Sequence, residues 1–377
     1  MVQIKEISNR SGLKEFIMFP DSLYKGNAYR VTPLHSIEKG LLDRNLNPAF
    51  DYCDTRYWMA YKEGKAVGRI AGICNKSSNN LRNEKFVRFG WIDFIDDMEV
   101  SAALLRTVEE WAISLGMTHV HGPLGFTDMD LEGMLIEGFN EIATHAVLYN
   151  YPYYPEHLER LGYGKEVDWV QFEIKVPDAV PDKIIRIADI VKEKYKLRIL
   201  RAKRTKELLP YVSKMFSTLN DSFINLYGFV PLTPKQIKYY TKQYFSIINP
   251  KYVCFIIDED DEVAGFAIAI FSLSKALIKA KGKLYPFGFV HILRALYKND
   301  TIDLFLQGVK PAYNNKGLPA IFFAEIMKSC IENGVKTAVS SHALETNTAA
   351  YLMFRDYEHR QHLRRRCFGK ALITDAE

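Results

Sequence analysis

The apolar, aromatic-rich run from Tyr57 to Tyr61 gives way to the polar run Lys62, Glu63, Gly64, Lys65, and a second largely apolar run follows along residues 66–74. Two β-rich runs about a short Gly-containing loop predict a hairpin. Residues 86–94 read as a third strand. From Val100 to Leu115 the period lengthens, and Ala103, Leu104, Val108, Trp111, Ala112 and Leu115 fall on one helical face. Gly116 is placed to end that helix, and residues 118–122 make a short strand.

The second half repeats this order. Residues 252–257 and 263–271 read as strands about the charged turn Asp258–Glu262, and residues 303–309 as the next strand. A helix over 320–332 closes at Asn333 and Gly334, and a strand follows over 335–340. Hairpin, strand, helix, strand thus occurs twice, about 190 residues apart, in pattern but with little side-chain identity. Duplication of one α+β domain accounts for this better than one large sheet. Pro177 and Pro181 mark a connector, which places an N-terminal domain over 1–177 and a C-terminal one over 178–377. Residues 206–250 read as helical, punctuated by Pro210, Pro231, Pro234 and Pro250.

The totals fit two soluble domains: 377 residues, 48% hydrophobic and 25% charged. No apolar run approaches the roughly 18–20 residues of a membrane span. Residues 1–16 carry charges where a signal peptide needs an unbroken apolar segment. A cytoplasmic protein is expected, with peripheral membrane contact left open. Five scattered cysteines without a CxxC favour neither a disulfide framework nor a zinc site, so no metal is expected. Charge is uneven. Residues 1–180 carry 19 Lys+Arg against 26 Asp+Glu, net −7, and residues 181–377 carry 31 against 19, net +12. A basic half suits an anionic partner, although an unevenly charged solvated surface gives the same count.

The stretch from Val309 to Ala320 carries the most chemistry. A strand that passes through a small, polar, Gly-containing loop into a helix presents free backbone N–H groups at the positive end of the helix dipole. Such a junction suits phosphate or pyrophosphate, and Lys310 and Lys316 add charge; a plain turn uses Asn and Gly for local geometry only.

This stretch resembles the acetyl-CoA signature of the GCN5-related N-acetyltransferase (GNAT, acyl-CoA N-acyltransferase) superfamily. There a Val-x-Pro strand end precedes Arg/Gln-x-x-Gly-x-Gly/Ala. Val309, Pro311 and Gly317 match, while Asn314 stands in place of Arg or Gln and Pro319 in place of Gly or Ala. Proline is tolerated in a first helical turn but removes one donor. The resemblance implies a fold of two tandem GNAT-like domains, each a mixed, mostly antiparallel sheet flanked by helices. It implies acyl-CoA or acetyl-CoA as co-substrate, held by Val309, Asn314, Asn315, Lys316, Gly317 and Leu318.

Residues 345–354 resemble the family's next landmark, the Asn-x-x-Ala-x-x-x-Tyr helix. Asn347, a natural N-cap that joins the CoA-binding set, and Ala350 match, but Phe354 replaces the Tyr that protonates the departing thiolate in many members. Tyr351 and Tyr357 are close enough in sequence to substitute, or are packing aromatics. Glu345, ahead of His342, is the candidate to take the proton of an attacking amine.

The first copy lacks the phosphate loop, because Asp96, Asp97 and Glu99 would repel a pyrophosphate. It reads as a degenerate GNAT-like partner. Residues 121–139 nonetheless hold four glycines and four carboxylates, the marks of a shaped polar loop. With the tyrosines of 149–154 they resemble a bacterial subgroup of two-domain acyltransferase-like proteins that includes ceramide synthases. That subgroup implies an amine acceptor, such as a long-chain sphingoid base. Residues 272–300 interleave six basic residues with apolar ones, as a segment lying on an anionic membrane or an ordinary packed amphipathic element would. Residues 364–366, three arginines, either touch CoA phosphates or support a last strand. The leading expectation is a CoA-dependent N-acyltransferase; the alternative is a catalytically degenerate GNAT-fold binding or scaffold protein. No nucleic-acid partner is expected, since no stacking motif accompanies the basic half.

Overall fold

Residues 53–75 form the hairpin that their two β-rich runs predict, in a computed structural model that describes residues 1–347 and 354–372. In chain order the first elements are β1 (Gln3–Glu6), α1 (Arg10–Leu23), α2 (His35–Leu42), β2 (Cys53–Lys62), β3 (Lys65–Asn75), α3 (Lys76–Arg82), β4 (Phe86–Phe94), α4 (Met98–Ser114), β5 (His119–Gly122), β6 (Met134–Glu137), α5 (Tyr153–Arg160) and β7 (Gly164–Lys175). There follow α6 (Asp182–Lys194), β8 (Arg198–Ile199), α7 (Leu209–Phe223), α8 (Pro234–Tyr244), β9 (Val253–Ile257), β10 (Val263–Phe271), α9 (Ser274–Ala280), α10 (Gly288–Tyr297), β11 (Thr301–Val309), α11 (Leu318–Glu332), β12 (Thr337–Ser340), β13 (Ala343–Leu344) and β14 (His359–Ala371). The prolines behave as expected: Pro210 and Pro234 open α7 and α8, and Thr233 with Gln236 makes a capping box on α8.

The chain divides into two compact units. Unit 1 comprises Met1–Trp169, Leu273–Ile292 and Leu363–Glu377, and unit 2 comprises Val170–Ser272 and Leu293–His362. In unit 1, β1 to β4 pair antiparallel in sequence order, β5 lies parallel to β4, and β14 pairs antiparallel with β5. In unit 2, β8 to β11 pair antiparallel in order, β12 lies parallel to β11, and β7 pairs antiparallel with β12. The crossover between each parallel pair is a helix, α4 or α11. Both units therefore share one topology.

The division differs from a single cut at residue 177. β7 follows unit 1 in the chain, yet its last residues, 173–175, pair in unit 2; β14 ends the chain, yet its residues 368–371 pair with β5 of unit 1. The prolines at 177 and 181 do end β7, but the strand register assigns the strand's end to the other sheet.

Each crossover helix anchors its core. α4 buries Val100, Leu104, Leu105, Val108, Trp111 and Ala112, and α11 buries Leu318, Ile321, Phe322, Phe323, Ile326, Met327 and Cys330. At about 1.5–3 kcal/mol for each large side chain removed from water, these stripes hold the helices on their sheets. All five cysteines are buried and free. Among the described residues no helix is long and apolar enough to cross a membrane.

Candidate functional site

In unit 2 the parallel pair stays together only briefly. Thr301 to Leu304 of β11 pair with Thr337 to Ser340 of β12. There β12 stops, because Ser340 is taken over by β7: its carbonyl accepts from Gln171 Nε2 at 3.0 Å and its hydroxyl from the Phe172 amide at 2.9 Å. β13 then pairs with β7 as well. β11 runs on to Val309 with β10 on one side and, among the described residues, no strand on the other. Along this arm Leu306 and Leu304 oppose the successive residues Ile268 and Ala269, which leaves Phe305 as the extra residue of a bulge. Its ring packs 5.1 Å from Tyr244 of α8.

The arm leads into the loop singled out in the sequence. Residues 311–313 make a 3-10 turn, Asn315 and Gly317 have φ of 59° and 83°, and α11 starts at Leu318 with Pro319 in its first turn. The Asn314, Lys316 and Ala320 amides are spent inside the loop, on the carbonyls of Pro311, Tyr313 and Gly317. Among the described residues, the amides of Asn315, Gly317 and Leu318 donate no hydrogen bond. Three donors, two of them on left-handed residues, therefore stand at the positive end of a 15-residue helix. The junction fits an anionic phosphate group, with fewer donors than its length promised. Lys316 does not project freely: its Nζ lies 4.9 Å from the Tyr195 ring and 5.2 Å from the Tyr313 ring. A Cβ on Gly317 would point at α6, 3.0 Å from Val191 Cγ2. Gly317 thus serves the backbone and the seat of α6 and does not border an empty loop. Val309 ends the arm, paired with Gly265.

Beside the arm is a narrow apolar pocket lined by Ala267, Leu304, Leu306, Phe322, Phe323 and Met327 among others, about 310 Å³ including solvent at its mouth.

The other predicted residues are placed as follows. Glu345 and His342 flank β13 and are half-buried, and Asn347 is exposed, its amide on the Leu344 carbonyl. Tyr351 and Ala350 lie outside the described residues. Phe354 is buried against Phe172 and Phe323, at 5.6 and 5.7 Å. Tyr357 packs tilted against Phe323 at 5.5 Å, and among the described residues its buried hydroxyl has no hydrogen-bond partner. Burial pushes that phenol up to about 12, so it keeps its proton at neutral pH.

Asp303, Gln171 and Ser340 were not read from the sequence. Asp303 is a carboxylate 2% exposed on β11, in the residue row of Val339 and Glu173. An aspartate between the apolar Ile302 and Leu304 was the available signal. The Ser340–Gln171 contact spans 169 residues and leaves none. Of the two readings of residues 364–366, the strand-supporting one describes two of the three: they lie in β14, and Arg364 and Arg366 are both bonded to the buried carboxylate of Asp168.

Unit 1 has the same splayed pair, but its own chain fills the opening. Phe86 to Arg88 pair with His119 to His121, after which residues 122–126 follow β4, with the Leu124 amide on the Phe89 carbonyl at 2.8 Å. Gly90 permits this, since a Cβ there would lie 2.4 Å from the Leu124 oxygen. The acidic loop is folded on itself. Asp130 accepts from the Phe126 and Thr127 amides at 2.8 and 3.0 Å, and Arg88 donates to the Gly125 carbonyl at 3.1 Å. Burial outweighs those amides and pushes Asp130 up to about 7. Asp97 caps α4 through the Glu99 amide, the start expected of an acid-rich first turn.

Comparison with solved structures decides the fold. A tandem GNAT protein from the clavulanic acid biosynthesis pathway superposes with a TM-score of 0.56 at 10% identity, covering all of both chains. The chain has the tandem GNAT fold. A GCN5-related N-acetyltransferase from Sphaerobacter thermophilus gives 0.51 at 11% identity, over 100% of this chain and 97% of that one. In sequence, the chain is similar to Protein YghO of Escherichia coli, 27% identical over 92% of this chain and 89% of the relative. It is also similar to a bacterial ceramide synthase of Caulobacter vibrioides, 28% identical over 74% and 73%. No protein-family model matches the chain. On the GNAT fold, the equivalent sheet openings are lined by residues 305–309 of β11 in unit 2 and by residues 122–126 in unit 1.

Proposed function

We propose that unit 2 binds an acyl-CoA at the β11–α11 junction and transfers its acyl group to an amine. The observation that carries this reading is the set of unbonded amides at Asn315, Gly317 and Leu318, at the head of α11 and next to the unpaired arm of β11. When bound, the thioester supplies an activated carbonyl for the amine to attack. The chain's part is to hold and orient. The three amides and the helix dipole take the diphosphate. The open side of residues 305–309 suits an extended amide-bearing chain, as a sheet edge accepts an added strand. The apolar pocket beside Leu304 and Phe323 suits methylene groups and excludes water. Glu345 takes the proton of the amine, and Tyr357, protonated and unpartnered, returns one to the leaving thiolate.

A long-chain amine, such as a sphingoid base, is the acceptor we favour. The relative named a bacterial ceramide synthase supports it. So do Tyr285, Phe287 and Phe289 of unit 1, exposed by 79, 70 and 40% at the start of α10, beside Lys281 and Lys283, as suits peripheral contact with an anionic membrane. α9, by contrast, packs Ala276 and Leu277 inward in the ordinary way. One observation favours the non-catalytic alternative: Phe354, at the family's usual acid position, is a core residue.

The test is titration calorimetry with CoA and acyl-CoAs of rising chain length, coupled to thiol release with a sphingoid base or a short amine. The reading requires CoA binding and acceptor-dependent thiol release. Binding without release leaves the binding or scaffold reading, and no binding at millimolar CoA removes the acyltransferase reading.

A further inference from the structure

β14 carries three consecutive arginines, and strand alternation sends the middle one to the opposite face from its neighbours. Arg364 and Arg366 share Asp168 at 2.8–3.1 Å; Arg364 also meets Glu137 at 3.2 Å and Arg366 meets Glu159 at 3.8 Å. Arg365 has nothing comparable. It is 1% exposed, and among the described residues none of its Nε and Nη atoms has a hydrogen-bond partner. The surroundings are apolar and close. Leu135 lies across from it in β6, Leu363 two residues before it, and a Cβ on Gly133 would come within 2.9 Å of Arg365 Cβ and 3.2 Å of the Trp169 ring.

A guanidinium presents five donors in a rigid fork and has no acceptor of its own. Burying it with no counter-charge is among the costliest arrangements a fold can hold, and side chains elsewhere in this chain avoid it: Arg69, 3% exposed, is held by Asp93 and the Phe16 carbonyl. Burial brings Arg365 down only to about 9, so it stays charged at neutral pH. The fork is therefore a binding group that awaits its partner. We infer that Arg365 receives an oxyanion, a carboxylate or phosphate borne by a small molecule, in the interior of unit 1. A bidentate fork prefers planar carboxylate or two phosphate oxygens, and the flanking Leu135, Leu363 and Trp169 suit an apolar body behind that group. This site is independent of the CoA reading, since it uses no residue of unit 2.

Thermal denaturation of the full chain in potassium acetate, decanoate or phosphate, against chloride at equal ionic strength, tests the assignment. At least one oxyanion raises the wild-type midpoint above chloride, and the arm that does so separates carboxylate from phosphate. In Arg365→Met, close in length and apolar, the affinity for that anion falls by about tenfold or more. If Met at 365 does not fold, Arg365→Lys keeps the charge, loses the fork and shows a reduced shift. Crystals soaked in selenate give a second readout: anomalous density within hydrogen-bond distance of the Arg365 fork supports the site. The inference is overturned if no oxyanion exceeds chloride, if the variant responds as the wild type does, or if the soaked crystals show only water or an adventitious ion elsewhere.

Discussion

Gly317→Ala separates backbone geometry from phosphate chemistry. At φ 83°, an alanine pays about 1–2 kcal/mol for the left-handed region. The new Cβ also meets Val191 Cγ2 at 3.0 Å, tighter than ordinary contact. Relieving both rotates the peptide planes on either side, which carry the Gly317 and Leu318 amides. Hydrogen bonds to a charged group contribute about 1.5–3 kcal/mol each, so misaligning one weakens CoA binding about 10- to 100-fold. Gly334→Ala is the control. Gly334 follows the other end of α11 at φ 69°, with no atom within 4 Å of its would-be Cβ. Both variants should lower the melting temperature, by about 2–4 °C per kcal/mol for a unit of this size. Only Gly317→Ala should lose CoA affinity in calorimetry. Equal CoA affinity for Gly317→Ala and wild type refutes the assignment of the phosphate to these amides.

Four further outcomes follow from the described geometry. Asp130 binds its proton more tightly in the fold, at about 7, than its ordinary 3.8, so its contribution is whole below about pH 4 and is lost as pH rises through 7. Asp130→Asn keeps an acceptor for Phe126 and Thr127 and should gain on wild type by up to about 4 kcal/mol between pH 4 and 8, read from urea melts at each pH. Asp168 behaves oppositely: burial raises its pKa, but the Arg366 and Arg364 hydrogen bonds outweigh that and lower it, so Asp168→Ala should cost about 3 kcal/mol at pH 7 and less in acid. Tyr357→Phe removes one buried, unpartnered hydroxyl, and should leave stability level or raised while slowing thiol release, by about 10²-fold if it is the acid. Replacing Tyr285 and Phe287 by Asp should abolish flotation with phosphatidylglycerol vesicles, and raised salt should weaken the wild type's binding.

The duplicated order of strands and the two crossover helices were legible because their periods are long and their cores are local. The hairpin from residue 53 to 75 and the helix from 318 to 332 owe their faces to residues a few positions apart. β7 was not legible as a sheet-closing strand, and β14 was legible as a last strand only as one of two readings of its arginines. β14 reads as a basic tract, and the charges of Arg364 and Arg366 are met by Asp168, far back in the chain. At the candidate site the loop was visible through its Gly, Asn and Pro chemistry. Which amides stay unbonded was not, since that depends on the 3-10 turn spending those of Asn314 and Lys316. The role of Lys316 was masked for a similar reason: Tyr195, which draws it aside, lies 121 positions earlier.

The exchange of closing strands has a consequence for how this chain can be handled and how it could change. A fragment ending near residue 177 would carry β5 without β14, and the complementary fragment would carry β12 without β7. Each would bare a ladder of backbone donors and acceptors, an invitation to aggregate rather than fold. With the closing strands supplied in this way, neither unit can be deleted without opening the sheet of the other.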